Sequence, residues 1–375
     1  MSAQLPHRTF SLQQAQALVK DLHQPNPWIY WTDFLTSVLI GHALFQATLF
    51  APDWLTIENS FLFWTVRAGL FVMTGLFFLR ATIFTHEMVH FRKGTFTGFR
   101  AAWNLLCGIP FLIPSFTYYP HIDHHRRKSY GTEEDGEYLE LSHSSRWAIV
   151  GYLSLSFVIP LVAFFRFAVL SPVGWFFPSI HQWSFKHLST MVMDPMYIRP
   201  LNQGSVARTR FIQEVACAIF CWGFVLKGPL LMGLLVDPLW IQAYLMGAFV
   251  VLLNSVRTLG AHRWTSEGEE LSFEEQLLDS LNYPYRPWIT ELWGPVGTRY
   301  HALHHLFPTL PYHNLGIAHR RLMEALPADS LYRKTVRVSL LAELRALWGR
   351  AAEHEKSARD KAEGENAFVE RKMAA

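Results

Sequence analysis

The run from Phe61 to Phe84 is apolar and long enough to cross a hydrocarbon layer of about 30 Å at ~1.5 Å per helical residue. Arg67 lies in its first turns, where a long stem lets the guanidinium reach the interface. A preceding run, Phe34 to Phe50, is joined to it by a short loop containing Asp53 and Glu58, so the two read as an antiparallel hairpin. Further apolar stretches cover Ala101–Phe116, Trp147–Leu170, Phe211–Val236 and Leu239–Gly260, with a tight turn expected at Asp237-Pro238. Charged residues make up only 17% of the 375, against roughly a quarter in soluble domains. One membrane body with polar extensions therefore fits better than two soluble domains.

The aromatics, 15% of the chain, gather beside these runs, as at Trp28, Tyr30 and Trp31, where rings prefer the lipid–water boundary. The first thirty or so residues are polar and lack a signal-peptide pattern. Ser11 can cap a short lead-in helix through Leu22, with Ala15, Leu18, Val19 and Leu22 on one face. Basic residues cluster at Arg92-Lys93, Arg126-Arg127-Lys128, Arg199 to Arg210 and Arg257 to Arg263, which assigns these segments and the N-terminus to the cytoplasmic side. The net charge of +3 is spread along the chain and gives no nucleic-acid footprint. The three cysteines, Cys107, Cys217 and Cys221, all lie in apolar stretches and supply neither a disulfide framework nor an iron–sulfur set.

Four sites carry the chemistry: His86-x-x-x-His90, His121-x-x-His124-His125, His262, and His301-x-x-His304-His305. Histidines three or four apart project from one helix face, so each box can aim at least two imidazoles at a single point. If all serve one centre, an even number of crossings must separate each from the next. Ala101–Phe116 stands alone between two boxes, is short and contains Pro110 and Pro114, so it cannot be a simple span. Of the three runs before His262, Trp147–Leu170 is interrupted by Pro160 and Arg166 and is assigned as the second dipping or interfacial segment. Four spans remain. The expected fold is an all-α integral membrane protein with four transmembrane helices, two membrane-dipping or interfacial segments and a helical cytosolic cap holding two metal ions. Its parts are a lead-in over 1–33, a membrane body over 34–322 and a charged C-terminal helix over 323–375, helical from Leu340 to Arg371.

Nine imidazoles are too many for one ion and suit two with four or five nitrogens each. Iron is preferred, because two open-sited irons can activate dioxygen and zinc cannot. Isolated histidines such as His42, His143, His181 and His187 read as structural, and His319 as surface or outer support. Ligating histidines usually donate their second ring N–H to a carboxylate or carbonyl. Glu87, Asp123 and the run Glu133-Glu134-Asp135 are candidates for that support, with His313 nearby.

The order HEMVH, HIDHH, HALHH over roughly Phe34 to Leu322 resembles the membrane fatty acid desaturase and hydroxylase family. The stretches His124-His125-Arg-Arg-Lys-Ser-Tyr-Gly-Thr and His301 to Pro311 are similar to bacterial-type desaturases in particular. The resemblance implies four spans, a cytosolic cap, a di-iron site of two Fe2+ ions reached by an acyl tunnel, and a single histidine after the last span, which matches His262. In relatives an asparagine helps hold one iron through water; Asn254 lies two helical turns before His262 rather than one, so that role is not carried over. The leading expectation is a dioxygen-dependent desaturase acting on a long acyl chain held on a lipid, coenzyme A or a carrier protein, in a bacterial inner membrane. No flavin, dinucleotide, haem or iron–sulfur motif is present, so electrons must come from a separate ferredoxin or b-type cytochrome with its reductase. A hydroxylase or ketolase on the same scaffold, acting on an alkane, sterol or carotenoid, is the near alternative. More remote are a zinc protease built on His86, Glu87 and His90, and a receptor without catalysis.

Overall fold

The computed structural model describes residues 11–201, 207–233 and 237–373. The first ten residues of the lead-in and the end of the Phe211–Val236 run lie outside them. Among the described residues the structure is helical and has no β-strand, only isolated bridges. Ser11 caps Leu12–Val19 as its sequence suggests, its side chain accepting from the Gln14 N–H at 3.2 Å. Asn26 and Asn59 do the same for Pro27–Leu49 and Ser60–His90, which pack against each other as the expected hairpin.

Among the described residues, four helices are long and apolar enough to cross a membrane: Ser60–His90, Arg146–Phe176, Ala207–Leu230 and Pro238–Leu259. Three overlap expected spans. The fourth departs from expectation. Arg146–Phe176 is one continuous helix that accommodates Pro160 and widens to a π-turn at Arg166–Leu170. Neither Pro160 nor Arg166 interrupts it, because Arg166 is buried in a polar pocket of its own. The guanidinium donates to Glu214 at 2.6 Å, to Ser189 and to Ser171. Pro27–Leu49, which contains the expected Phe34–Phe50 span, is not in this set; Thr32, Asp33, Thr36, Ser37, His42 and Gln46 dilute its apolar character.

The parity requirement is nevertheless met. Ser142 N–H, just before Arg146, donates to the Trp264 carbonyl at 3.3 Å, beside His262. Beyond the return helix Pro178–His187, Met191 N–H donates to Thr117 O at 3.0 Å and Asp194 N–H to Gly136 O at 2.9 Å, on either side of the second box. The chain therefore leaves the histidine-bearing face and comes back to it. Ala101–Phe116 also behaves as expected: Thr97–Trp103 gives way to a π-turn, then breaks before Pro114.

Close helix contacts fix the body. Gly75 has no side chain because Phe249 occupies that space: a Cβ there would lie 2.4 Å from the Phe249 ring. The core joins Phe34, Phe78, Phe84 and Phe99 to Met246, Leu303 and Leu315, so the hairpin, the last span and the third box share one packed interior. The C-terminal helix Leu340–Met373 buries Leu347 and Ala351 against the loop before Arg146.

Candidate metal centre

Each box is held by a different local device. His86 and His90 end the Ser60–His90 helix and share one face. His121–His124 is a single turn entered through Pro120. His262 follows the last span, where Ala261 and Arg263 are clamped by Leu281 N–H (2.9 Å) and the Asp279 carbonyl (2.7 Å). The same strip, 279–283, holds the third box: Ala302 N–H donates to Leu281 O at 3.1 Å and Leu303 N–H to Asn282 Oδ1 at 3.1 Å. This strip sets the separation between His262 and His301–Leu306.

The nine sequence-selected histidines converge in two sets. His86, His90, His121, His125 and His304 form one; His124, His262, His301 and His305 form the other, and within each set the nitrogens lie within 4.8 Å of one another. Nitrogens approach at 2.8 Å (His262–His301), 2.9 Å (His121–His125), 3.1 Å (His301–His305) and 3.3 Å (His124–His262). The two sets touch, with the His125 and His305 rings 4.3 Å apart. Both nitrogens of His86 and of His304, and Nε2 of His90, are buried without a hydrogen-bond partner. Buried polar atoms are rarely left so; a donor set of lone pairs aimed at two common points fits two metal ions.

The electrostatics agree. Burial first, and then mutual repulsion, holds the His121, His125, His301, His304 and His305 imidazoles well below the ordinary histidine value. They are neutral and able to ligate. His124 is the exception: burial opposes its charge, but Asp135 at 2.8 Å raises it.

Three carboxylates turn the rings. Glu137 Oε2 meets His121 Nδ1 at 2.8 Å, Asp135 Oδ2 meets His124 Nδ1 at 2.8 Å, and Asp279 Oδ2 meets His262 Nδ1 at 3.2 Å. Burial pushes Glu137 up to about 8. Burial would also raise Asp279, but His262, Thr265 and Tyr130 hold it down to about 2. The loop that delivers Asp135 and Glu137 curls through Gly131, whose φ of +72° suits glycine, and its N–H donates to Asp135 Oδ2 at 3.0 Å.

Asp135 was legible within its acidic run; Glu137 and Asp279 were not. The other candidates for orienting the rings have different tasks. Glu87 points away from the imidazoles, accepting from Tyr30 O–H at 2.5 Å and Tyr312 N–H at 3.1 Å, and so ties the first box to the lead-in and to the helix after the third. Asp123 accepts from Arg126 at 2.5 Å. His313 receives the Asn26 N–H at 3.1 Å and contacts Asn314, so it fastens the N-terminal helix. Asn254 accepts from Arg257 at 3.1 and 3.0 Å. His319 is buried against the Tyr332 hydroxyl at 2.7 Å, not on the surface.

Comparison with known proteins adds three findings. Residues 62–336 match the family described as fatty acid desaturase. The chain is 38% identical over 352 residues to a ceramide hydroxylase of Caulobacter vibrioides (strain NA1000 / CB15N), covering 92% of this chain and 95% of that protein. It is 32% identical over 111 residues to an omega-3 fatty acid desaturase of the endoplasmic reticulum from Vigna radiata var. radiata, covering 27% of this chain and 28% of that one. No solved structure matches it.

Proposed function

Because this chain belongs to the fatty acid desaturase family, an oxidoreductase family of membrane proteins, we propose that it is a dioxygen-dependent di-iron enzyme that hydroxylates a long-chain lipid of the ceramide type. The observation that carries the oxidative reading is the pair of touching, buried histidine sets, five and four strong. The likeness running the length of a ceramide hydroxylase favours hydroxylation and that lipid class. Desaturation of an acyl chain, the leading expectation from sequence, is the second reading; the partial likeness to a plant desaturase supports it.

Two irons held by the nine histidines would supply reductive activation of dioxygen, which no side chain can do. Hydroxylation consumes one dioxygen, two electrons and two protons, inserts one oxygen into a C–H bond and releases one water. Desaturation takes the same inputs but removes two hydrogens and releases two waters. In either case the chain's own residues bury the imidazoles, orient them through Asp135, Glu137 and Asp279, and keep water from the reacting carbon. The electrons would come from a separate ferredoxin or b-type cytochrome. Its acidic surface would meet the exposed Arg92, Lys93, Arg126, Arg127 and Lys128, which also orient the site toward the cytoplasm of a bacterial inner membrane.

Lipid profiling by mass spectrometry of a host expressing the chain tests this directly. Products one oxygen heavier support hydroxylation. Products only two hydrogens lighter would transfer the assignment to desaturation, and an unchanged lipid profile with dioxygen and a donor present would remove both.

A further inference from the structure

Phe185, near the end of the Pro178–His187 helix, is buried and has two cations over its ring. The Arg199 guanidinium carbon stands 4.5 Å from the ring centroid and that of Arg210 4.4 Å, so the two lie no further apart than the sum of those distances. One cation over an aromatic face is favourable. A second so close to the first repels it, and the more so where protein replaces water. Arg199 is fully buried. Burial first, with Arg210 adding to it against the pull of Tyr197, holds the Arg199 guanidinium down to about 10.

Arg199 has a structural task as well: its N–H donates to Lys186 O at 3.0 Å and its Nη1 to Ser189 O at 2.8 Å, which ties residue 199 to the end of the Phe185 helix. Arg210 has no such task. Its Nε is buried without a hydrogen-bond partner, and it forms no ion pair among the described residues. The carboxylate one turn along its helix, Glu214, is already occupied, with Oε1 2.6 Å from Arg166 and Oε2 3.2 Å from His181. From 186 to 213 the chain carries Lys186, Arg199, Arg208 and Arg210 against Asp194 alone. Depth in the membrane is set by neighbours. Phe176 and Phe177 are exposed where one apolar helix ends, Trp183 is exposed on the return helix, and Arg210 lies in the first turn of the next apolar helix, Ala207–Leu230. Exposed rings at helix ends favour the lipid–water boundary, so the two cations stand at head-group level.

We propose that Arg199 and Arg210, held over the Phe185 ring, form a binding site for the phosphate of an anionic membrane phospholipid whose chains pack on the exposed Phe177 and Trp183. A phosphate accepts from both guanidinium groups and removes their mutual repulsion. Basic pockets beside membrane spans take anionic head groups for this reason. The ceramide-type lipid proposed above as substrate carries no phosphate, so the occupant is a second lipid, and the site is independent of which lipid is oxidised. It has a route to the histidines all the same. Between Phe185 and Arg199 the chain makes the two backbone hydrogen bonds, Met191 to Thr117 and Asp194 to Gly136, that flank the second box. A bound phosphate braces that stretch.

Native mass spectrometry of the purified, full-length, delipidated protein in neutral detergent tests the site without turnover. The probes are phosphatidylglycerol, zwitterionic phosphatidylcholine of the same chains, and inorganic phosphate. Wild type is expected to bind phosphatidylglycerol at least about 10-fold more tightly than phosphatidylcholine, and Arg210→Gln to lose about 10-fold of that affinity. Lys93→Gln, which removes a basic residue elsewhere, should leave it unchanged. Equal affinity for the two lipids overturns the site, and so does an equal loss in Lys93→Gln and Arg210→Gln, which would mark diffuse surface charge. Inorganic phosphate binding as tightly as phosphatidylglycerol overturns the lipid as occupant. If Arg210→Gln does not fold, a photoactivatable phosphatidylglycerol on wild type decides: label on the peptides carrying Trp183 or Arg210 supports the site, and label only elsewhere overturns it.

Discussion

Asp279 reaches His262 Nδ1 at 3.2 Å across 17 residues of chain, and the Tyr130 hydroxyl donates to the same carboxylate oxygen at 2.7 Å. A lone histidine after the last span is thereby given a fixed ring and tautomer by groups from two other segments. Asp279→Asn should lower metal affinity by about 10- to 100-fold. Iron per protein by elemental analysis, measured after dialysis against a weak chelator, should fall well before secondary structure changes. Full iron retention would show that the carboxylate does not orient a ligand.

His304 belongs to the five-histidine set and has both nitrogens unpartnered. Alanine at His304 should abolish lipid oxidation and reduce bound iron while the fold survives. A zinc site built on His86, Glu87 and His90 alone would tolerate that change. Retained lipid oxidation would show that the five-histidine set does not need His304.

Gly75 and Phe249 set the approach of the first-box helix to the last span. Gly75→Val places methyl groups where the ring stands, and overpacking of this kind costs about 1–3 kcal/mol. The apparent unfolding temperature in detergent should drop, and activity should fall with it because His86 rides on one displaced helix and His262 directly follows the other. Gly75→Val paired with Phe249→Leu should recover part of both losses.

His319 is held down to about 4, first by burial and then by Arg299 and Arg320. The folded chain keeps this ring neutral while an unfolded histidine takes up a proton near pH ~6.5. Stability is therefore fully present above that value and is lost as pH falls toward 4, by up to ~3 kcal/mol. The apparent unfolding temperature should decline between pH 7 and 5 more steeply for wild type than for His319→Gln. Parallel declines would assign the loss to other groups.

Three of the four long apolar helices, the break in the Ala101–Phe116 segment and the convergence of nine histidines were legible because each depends on local pattern: apolar length, proline position, three- and four-residue spacing. Arg166 was misread as an interruption, since its partner Glu214 lies 48 residues away and only folding brings them together. Asp279 and Glu137 escaped for the same reason. Glu87 misled in the opposite sense: adjacency in a motif suggested a role toward His86 and His90, yet on a helix the next residue points about 100° around the axis, and Tyr30 and Tyr312 claim it.

The second box contributes His121 and His125 to one histidine set and His124 to the other, while the third contributes His304 to the first and His301 with His305 to the second. Neither set can be assembled or dismantled as a separate module, for two short stretches of backbone serve both. Were an ion to fill one set, it would fix the backbone that must present the other, so a second ion would meet a site whose ordering entropy is already spent. Such interleaving would favour empty and doubly occupied protein over the half-filled form, and loading of two ions would then be a cooperative event.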